Sequence, residues 1–295
     1  MKIAFIGLGN MGTPMAGNLV KADLAVSGFD LVSANLDKAT ARGVIAAASA
    51  AEAADGADVV ITMLPAGKDT VAVYEKAGIL ERAAKTAVVV DCSTIDVASA
   101  RRAHDLAKAA GKLSLDCPVS GGVAGAEGAT LTLMAGGEVA AFEAAKPVLE
   151  KMSRRLVHCG EAGAGQAAKI CNNMLLGISM IGVCEAFVLA GKLGLSEKAL
   201  FDVASTSSGQ CWSLTSYCPV PELVPASPAN NGYKPGFAAA LMVKDLMLAQ
   251  EAAQSAGAAT PMGAEAAQLY QLFVGAGHAG EDFSGIINFL RGQRR

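Results

Sequence analysis

The first half of the chain is a series of short apolar runs separated by glycines and polar residues. Residues 3–6, 25–29, 59–64, 87–90, 112–116, 130–134 and 155–158 each read as a strand, and helical patterns such as 15–21 fall between them. Strands that alternate with helices predict βαβ units and a mainly parallel sheet. After Gly160 the period changes. Gly163-Ala164-Gly165 punctuates the chain, and 199–204, 241–253 and 264–273 fit helices with no strand series among them. A Ser-, Pro-, Gly- and Asn-rich stretch, 205–236, is longer than ordinary connections and reads as a functional loop. The pattern predicts an α/β domain over residues 1–162 and an all-α domain over 163–295.

One segment, 174–191, is apolar enough to suggest a membrane span. Glu185 inside it, Asn172 and Asn173 at its start and Lys192 at its end favour a buried helix between packed subunits or domains, with no membrane partner. Composition fits a globular chain, at 52% hydrophobic and 17% charged residues. A net charge of −3, with no basic run apart from the terminal 291–295, argues against a nucleic-acid partner. Seven cysteines are scattered without a CxxC pair, and an apolar strand follows Met1-Lys2 directly. No targeting segment is therefore expected, and the thiols read as reduced in a cytoplasm. His104, His158 and His278 lie far apart in sequence, so no metal-ligand cluster is expected.

Gly7-Leu8-Gly9-Asn10-Met11-Gly12 follows the first strand and opens a helix. A lone GxGxxG is a weak signal, but this context gives each glycine a task. Gly7 allows the tight turn, Gly9 lets backbone approach a pyrophosphate, and Gly12 lets helix pack on strand. The helix N-terminus offers N–H groups and a positive dipole end to the phosphates. Asp30 ends the second strand, where a carboxylate accepts from both ribose hydroxyls of NAD and repels a 2′-phosphate. Leu31-Val32-Ser33 supplies no arginine for such a phosphate, so NAD is the expected cofactor. The fold class is then α/β, a Rossmann-type doubly wound sheet followed by an all-α C-terminal domain.

Lys169 and Asn173 are four apart in a helical stretch and share a face. A partly buried lysine can relay a hydroxyl proton, with the asparagine orienting it, but spacing alone fits an exposed helix surface better. Ser120-Gly121-Gly122 ends a strand as a glycine-rich turn. Its N–H groups and hydroxyl suit a carboxylate, and equally a turn that simply needs positive φ.

Together these pieces resemble the β-hydroxyacid dehydrogenase family over essentially the whole chain. The motifs, in order, are Gly7–Gly12, Met63-Leu64-Pro65, Asp91-Cys92-Ser93-Thr94, Asp116–Gly122, Gly163–Asn173 and Lys244–Ala249. The resemblance implies that Lys169 is the catalytic lysine, Asn173 its partner, and Ser120, Gly121 and Gly122 the cradle of a substrate carboxylate. It places Leu64, Pro65, Thr94 and, with less specific surroundings, Asp69 along the cofactor. It brings Lys244 near nicotinamide and substrate, supported by Asp245. Segments 207–212 and 231–237 are most similar to the branch acting on 3-hydroxyisobutyrate, although Cys211 stands where that branch often has Asn.

The resemblance implies oxidation of a small-molecule 3-hydroxy acid with NAD, as in valine breakdown, by a homodimer or homotetramer. Serine, glycerate and tartronate semialdehyde remain open as alternative substrates. Trp212 and Phe237 fit an apolar wall around an α-methyl group, or ordinary core packing; one methyl gives only ~1–3 kcal/mol of discrimination. Lys169, Asn173 and Lys244 argue against a non-catalytic dinucleotide-binding scaffold. A phosphorylated sugar acid is not expected, since the short C-terminal half has no clear arginine cluster.

Overall fold

A sheet of nine strands occupies the first of two units in this computed structural model, which describes residues 1–292. The units are Met1–Lys169 and the residues from Ile170 on. In chain order the first contains β1 (Lys2–Ile6), α1 (Gly12–Lys21), β2 (Ala25–Phe29), α2 (Ser33–Thr40), β3 (Ile45–Ala46), α3 (Ala50–Ala54), β4 (Val59–Thr62), α4 (Gly67–Lys76) and α5 (Ile79–Arg82). It continues with β5 (Val88–Asp91), α6 (Val97–Ala109), β6 (Leu113–Asp116), β7 (Val119–Ser120), α7 (Gly122–Glu127), β8 (Leu131–Gly136), α8 (Val139–Leu149) and β9 (Ser153–Gly160).

Strand order is β3-β2-β1-β4-β5-β6-β8-β7, with β9 also paired to β8. The first six are parallel, whereas β8 runs antiparallel to β6 and β7. The strands are continuous apolar runs because both faces are buried. Ile3, Phe5, Val59, Ile61, Val88 and Val90 pack into one core, while Ala4, Ile6, Val60 and Val89 pack into the other.

Register then decides where the loops emerge. Phe29, Ile6, Thr62, Asp91 and Asp116 are mutual neighbours in one row across β2, β1, β4, β5 and β6. The motif loops after β1, β4, β5 and β6 therefore leave the same carboxyl edge, and the direction in which the chain winds across the sheet reverses at β1, between β2 and β4. In open α/β sheets that switch point is where ligands bind. One expectation needs correction here: the run 59–64 does not stay in the sheet to its end. β4 stops at Thr62, because Leu64 turns its N–H to the Ser93 hydroxyl at 2.7 Å.

α9 (Ala164–Lys192) starts at the end of the first unit and continues into the second. The second unit adds α10 (Glu197–Ala204), α11 (Trp212–Thr215), α12 (Ala239–Ala256), α13 (Pro261–Phe273) and α14 (Ile286–Leu290). Their core is built from Met180, Phe187, Leu246, Tyr270, Phe273 and Phe283, among others. Glycines bring the helices close: a Cβ on Gly177 would lie 3.0 Å from Leu246, and one on Gly263 would lie 2.7 Å from Met174 Sδ.

By length and composition α9 is the one helix among the described residues able to cross a membrane. In the single chain it is not buried all round: Leu175 and Leu189 are 64% and 59% exposed. The long stretch 205–236 is not structureless either. It contains α11 and a 3-10 turn at Pro228–Asn231, and Asn230 bonds Glu222 N at 2.6 Å and Val224 O at 2.9 Å. The basic run 291–295 lies outside the described residues from Gln293 on.

Candidate active site

The turn between β1 and α1 leaves no room for side chains at two of its glycines. Gly7 has φ +93°, and a Cβ there would sit 2.3 Å from the Met63 carbonyl oxygen. A Cβ on Gly12 would be 1.9 Å from the Gly7 carbonyl oxygen. At Gly9 nothing lies within 4 Å of such an atom, so the backbone there faces open space. The shape suits a pyrophosphate lying against main chain. Leu8 contributes only backbone, since its side chain is in the core; Asn10 is exposed and Met11 half-buried.

Asp30 is oriented from three directions. Its Oδ2 accepts from Leu8 N at 2.7 Å, and its Oδ1 from Val32 N at 2.7 Å and Asn35 Nδ2 at 3.3 Å. A carboxylate has about four acceptor sites, so capacity remains for a ribose hydroxyl. Leu31 and Val32 beside it are exposed, and Arg42, the nearest arginine downstream, is held bidentate by Glu127 at 2.7 and 2.8 Å. These residues fit NAD and offer nothing to a 2′-phosphate.

Opposite this turn, Met63, Leu64 and Pro65 leave β4. The Ser93 hydroxyl accepts from Leu64 N and donates to Asp91 Oδ1 at 2.6 Å; the Thr62 hydroxyl donates to the same oxygen at 2.7 Å. Asp91 is buried, which pushes its carboxyl above the usual range, and its Oδ2 has no hydrogen-bond partner among the described residues. Thr94 is half-buried in the next loop, and Asp69 sits in the first turn of α4. Ser120 ends β7, and Gly121 and Gly122 follow with φ of +133° and +62°.

Lys169 lies in the second turn of α9 and is 7% exposed, so it is not the solvated lysine that spacing alone favoured. Asn173, one turn on, is buried and donates from Nδ2 to Asp245 Oδ2 at 2.5 Å, and its Oδ1 accepts from Asn172 at 2.9 Å. Lys244 Nζ is 3.6 Å from Asp245 Oδ1. Asp245 thus links Asn173 of α9 to Lys244 of α12.

Trp212 stacks on Tyr217 at 4.8 Å, Tyr217 on Phe283 at 5.4 Å, and Phe237 meets Phe283 edge-on at 5.8 Å. Asp282 holds this run together. Its Oδ2 accepts from Tyr217 Oη at 2.8 Å, Gly236 N at 2.9 Å and Phe237 N at 3.0 Å, and its Oδ1 from Ser284 N and Oγ. Burial and this carboxylate push the Tyr217 phenol well up.

Sequence reading gave no role to Ser93, Gln166, Tyr217 or Asp282. Ser93 and Gln166 stand inside motifs already singled out. Asp282 lies in a polar turn where only Ser284 is a local partner; Tyr217, Gly236 and Phe237 are far away in sequence. Among the described residues no group of three or more His, Cys, Asp or Glu is arranged to hold a metal ion.

Comparison with known proteins agrees with this geometry. Residues 2–160 match the family model for the NAD-binding domain of 6-phosphogluconate dehydrogenase. Residues 163–290 match the model described as NAD-binding of NADP-dependent 3-hydroxyisobutyrate dehydrogenase. The solved structure of Mycobacterium tuberculosis 3-hydroxyisobutyrate dehydrogenase with L-serine superposes with a TM-score of 0.95 at 52% identity, covering 98% of each chain. The chain belongs to the 3-hydroxyisobutyrate dehydrogenase family. As such it is an NAD-dependent oxidoreductase acting on a CH–OH group. Two Pseudomonas aeruginosa relatives carry names for different substrates. The 3-hydroxyisobutyrate dehydrogenase is 48% identical over 99% of both chains. The NAD-dependent L-serine dehydrogenase is 49% identical over 96% of this chain and 95% of its own. Overall identity within the family does not separate the two substrates.

Proposed function

We propose that the chain oxidises 3-hydroxyisobutyrate to methylmalonate semialdehyde, with Lys169 as the proton-transfer residue. The observation that supports this most is Lys169 itself, a nearly buried lysine in the family's motif, one helical turn from a buried asparagine. Bound NAD would supply a hydride acceptor for the carbinol carbon. The backbone at Gly7, Gly9 and Gly12, with Leu8, Asn10 and Met11, would hold its pyrophosphate, and Asp30 would accept from its ribose hydroxyls. Leu64, Pro65, Asp69 and Thr94 line it. Ser120 Oγ and the N–H groups of Gly121 and Gly122 hold the substrate carboxylate. Lys169 Nζ takes the hydroxyl proton, Asn173 orients the hydroxyl, and Lys244, steadied by Asp245, supplies positive charge near the carboxylate. Trp212 and Phe237 wall the α-methyl group. Residues 1–162 serve as the NAD-binding domain and 163–295 as the substrate and assembly domain.

L-serine is the second reading, favoured by the 49% identical L-serine dehydrogenase and by the L-serine complex of the mycobacterial relative. Specificity constants for 3-hydroxyisobutyrate, L-serine, glycerate and tartronate semialdehyde, with NAD and NADP, separate the readings. A higher constant for L-serine would overturn the first. Lys169→Ala should lower kcat about 10²–10⁴-fold, the range of general acid–base catalysis, with NAD binding intact. Near-wild-type turnover would remove Lys169 from the mechanism. Valine breakdown in the cytoplasm is the setting this reading implies. The exposed leucines of α9 support a homodimer or homotetramer, and a monomeric mass by light scattering would exclude both.

A further inference from the structure

The first turn of α9 is seated against strand ends with no space to spare. A Cβ on Gly165 would lie 2.3 Å from Met134 O, and one on Gly136 would lie 2.5 Å from Gly165 N. Asp116 closes the seat: its Oδ1 accepts from Gly163 N at 2.8 Å and its Oδ2 from Gln166 N at 2.8 Å. His104 Nε2 is 2.9 Å from Asp116 Oδ1, and its Nδ1 is 2.7 Å from Ser114 Oγ. A buried carboxylate thus caps the helix that carries Lys169.

Gln166 extends from this turn into the cofactor-side loop. It is fully buried; its Nε2 donates to Ser93 O at 2.8 Å and its Oε1 accepts from Ile95 N at 3.1 Å. These two bonds bracket Thr94. Ser93 in turn holds Leu64 N. Lys169 follows Gln166 by three residues, on the neighbouring helical turn.

We propose that Gln166 is a positioning residue for the reaction: fixed at the start of α9 by Asp116, it locks the loop 93–95 and the Lys169 turn into one rigid unit. The substrate hydroxyl and the hydride acceptor must be aligned together, and a misplacement of about 1 Å can cost roughly 10²-fold in rate. The polar side chain is required because it satisfies a carbonyl and an N–H that the loop would otherwise bury unpaired.

This inference rests on the reading of Lys169 as the proton-transfer residue, so the test includes that residue. Gln166→Met keeps length and volume and loses both hydrogen bonds. It should lower kcat about 10–100-fold while the substrate KM stays within about threefold. In a Lys169→Ala background the same substitution should cost less than about threefold, because there is no longer a lysine to position. An undiminished effect in that background makes Gln166 merely structural and overturns the proposal, as does wild-type kcat in Gln166→Met. Full turnover in Lys169→Ala alone removes the reading of Lys169, and the proposal with it. Circular dichroism and NAD binding check that each variant is folded, and Gln166→Leu is carried through the same cycle if the methionine variant is not.

Discussion

The two units build their functional surfaces in opposite ways. In the first, the surface is main chain: loops leaving one row of strand ends, glycines at φ values or distances that exclude a side chain, and short polar bridges such as Ser93 between neighbouring loops. In the second it is a run of aromatic side chains, set in place by a buried carboxylate that binds one phenol and two main-chain N–H groups. Asp282 ties Tyr217, Gly236 and Phe237 together from 65, 46 and 45 residues away. A backbone-built surface tolerates no added atom, whereas a hub-built one fails through loss of a single acceptor.

The sharpest way to break that contrast is Gly12→Ala. Its Cβ would meet the Gly7 carbonyl at 1.9 Å, a backbone atom that cannot swing aside. Overpacking of this kind costs up to about 3 kcal/mol, so NAD affinity by fluorescence titration should fall roughly 100-fold. Affinity near wild type would mean that the turn is softer than its geometry.

Asp282→Asn tests the other side. The amide NH₂ must face either the three donors on one oxygen or the two on the other. Unfolding free energy in urea should fall by about 2–4 kcal/mol. Substrate KM should rise roughly tenfold, the scale of one pocket contact. The NAD KM should not change. If both KM values moved together, the carboxylate would not be specific to its own unit's surface.

Asp30→Ala is expected to be milder for turnover. It should raise the NAD KM about tenfold, the worth of one hydrogen bond to a charged group, and narrow the preference over NADP. An unchanged cofactor ratio would remove Asp30 as the discriminating group.

The smallest effect belongs to Arg42 and Glu127. Arg42 holds the Glu127 carboxyl below its usual range, so the pair's contribution is present at neutral pH and is lost as pH falls through that lowered value. Both side chains are substantially exposed, and screening by salt should reduce their coupling. A double-mutant cycle in low and high salt should show a small coupling that vanishes in salt; a large, salt-independent one would mean the pair anchors the region around Gly17, whose Cβ position faces Arg42.

Much of the first unit was legible because its information is local. Strand, glycine turn and helix follow one another within a dozen residues at Gly7–Gly12, and Asp30 comes at the end of the next strand. Strand ends were less so: residues 63 and 64 continue the apolar run, yet Met63 N still bonds Ile6 O while Leu64 N turns away to the Ser93 hydroxyl. Lys169 was legible as a position in a motif but not as an environment. Spacing favoured an exposed face, and the structure buries it. The apolar run in α9 was legible as a surface to be covered, since hydrophobicity marks such a surface without saying by what.

Sequence by itself determined the alternation of strands and helices, the nucleotide turn, the acidic strand end after β2 and the family, because periodicity and glycine placement act within a few residues of themselves; the two-residue strands β3 and β7 are too short to leave such a pattern. Tertiary structure alone decided that Asp116 caps the helix of Lys169 from 47 and 50 residues away, that Gln166 reaches 71 and 73 residues back to Ile95 and Ser93, and that Asp282 gathers the aromatic run. Buried polar groups must be satisfied wherever the packed chain leaves a donor or acceptor, and that need leaves no periodic trace in sequence.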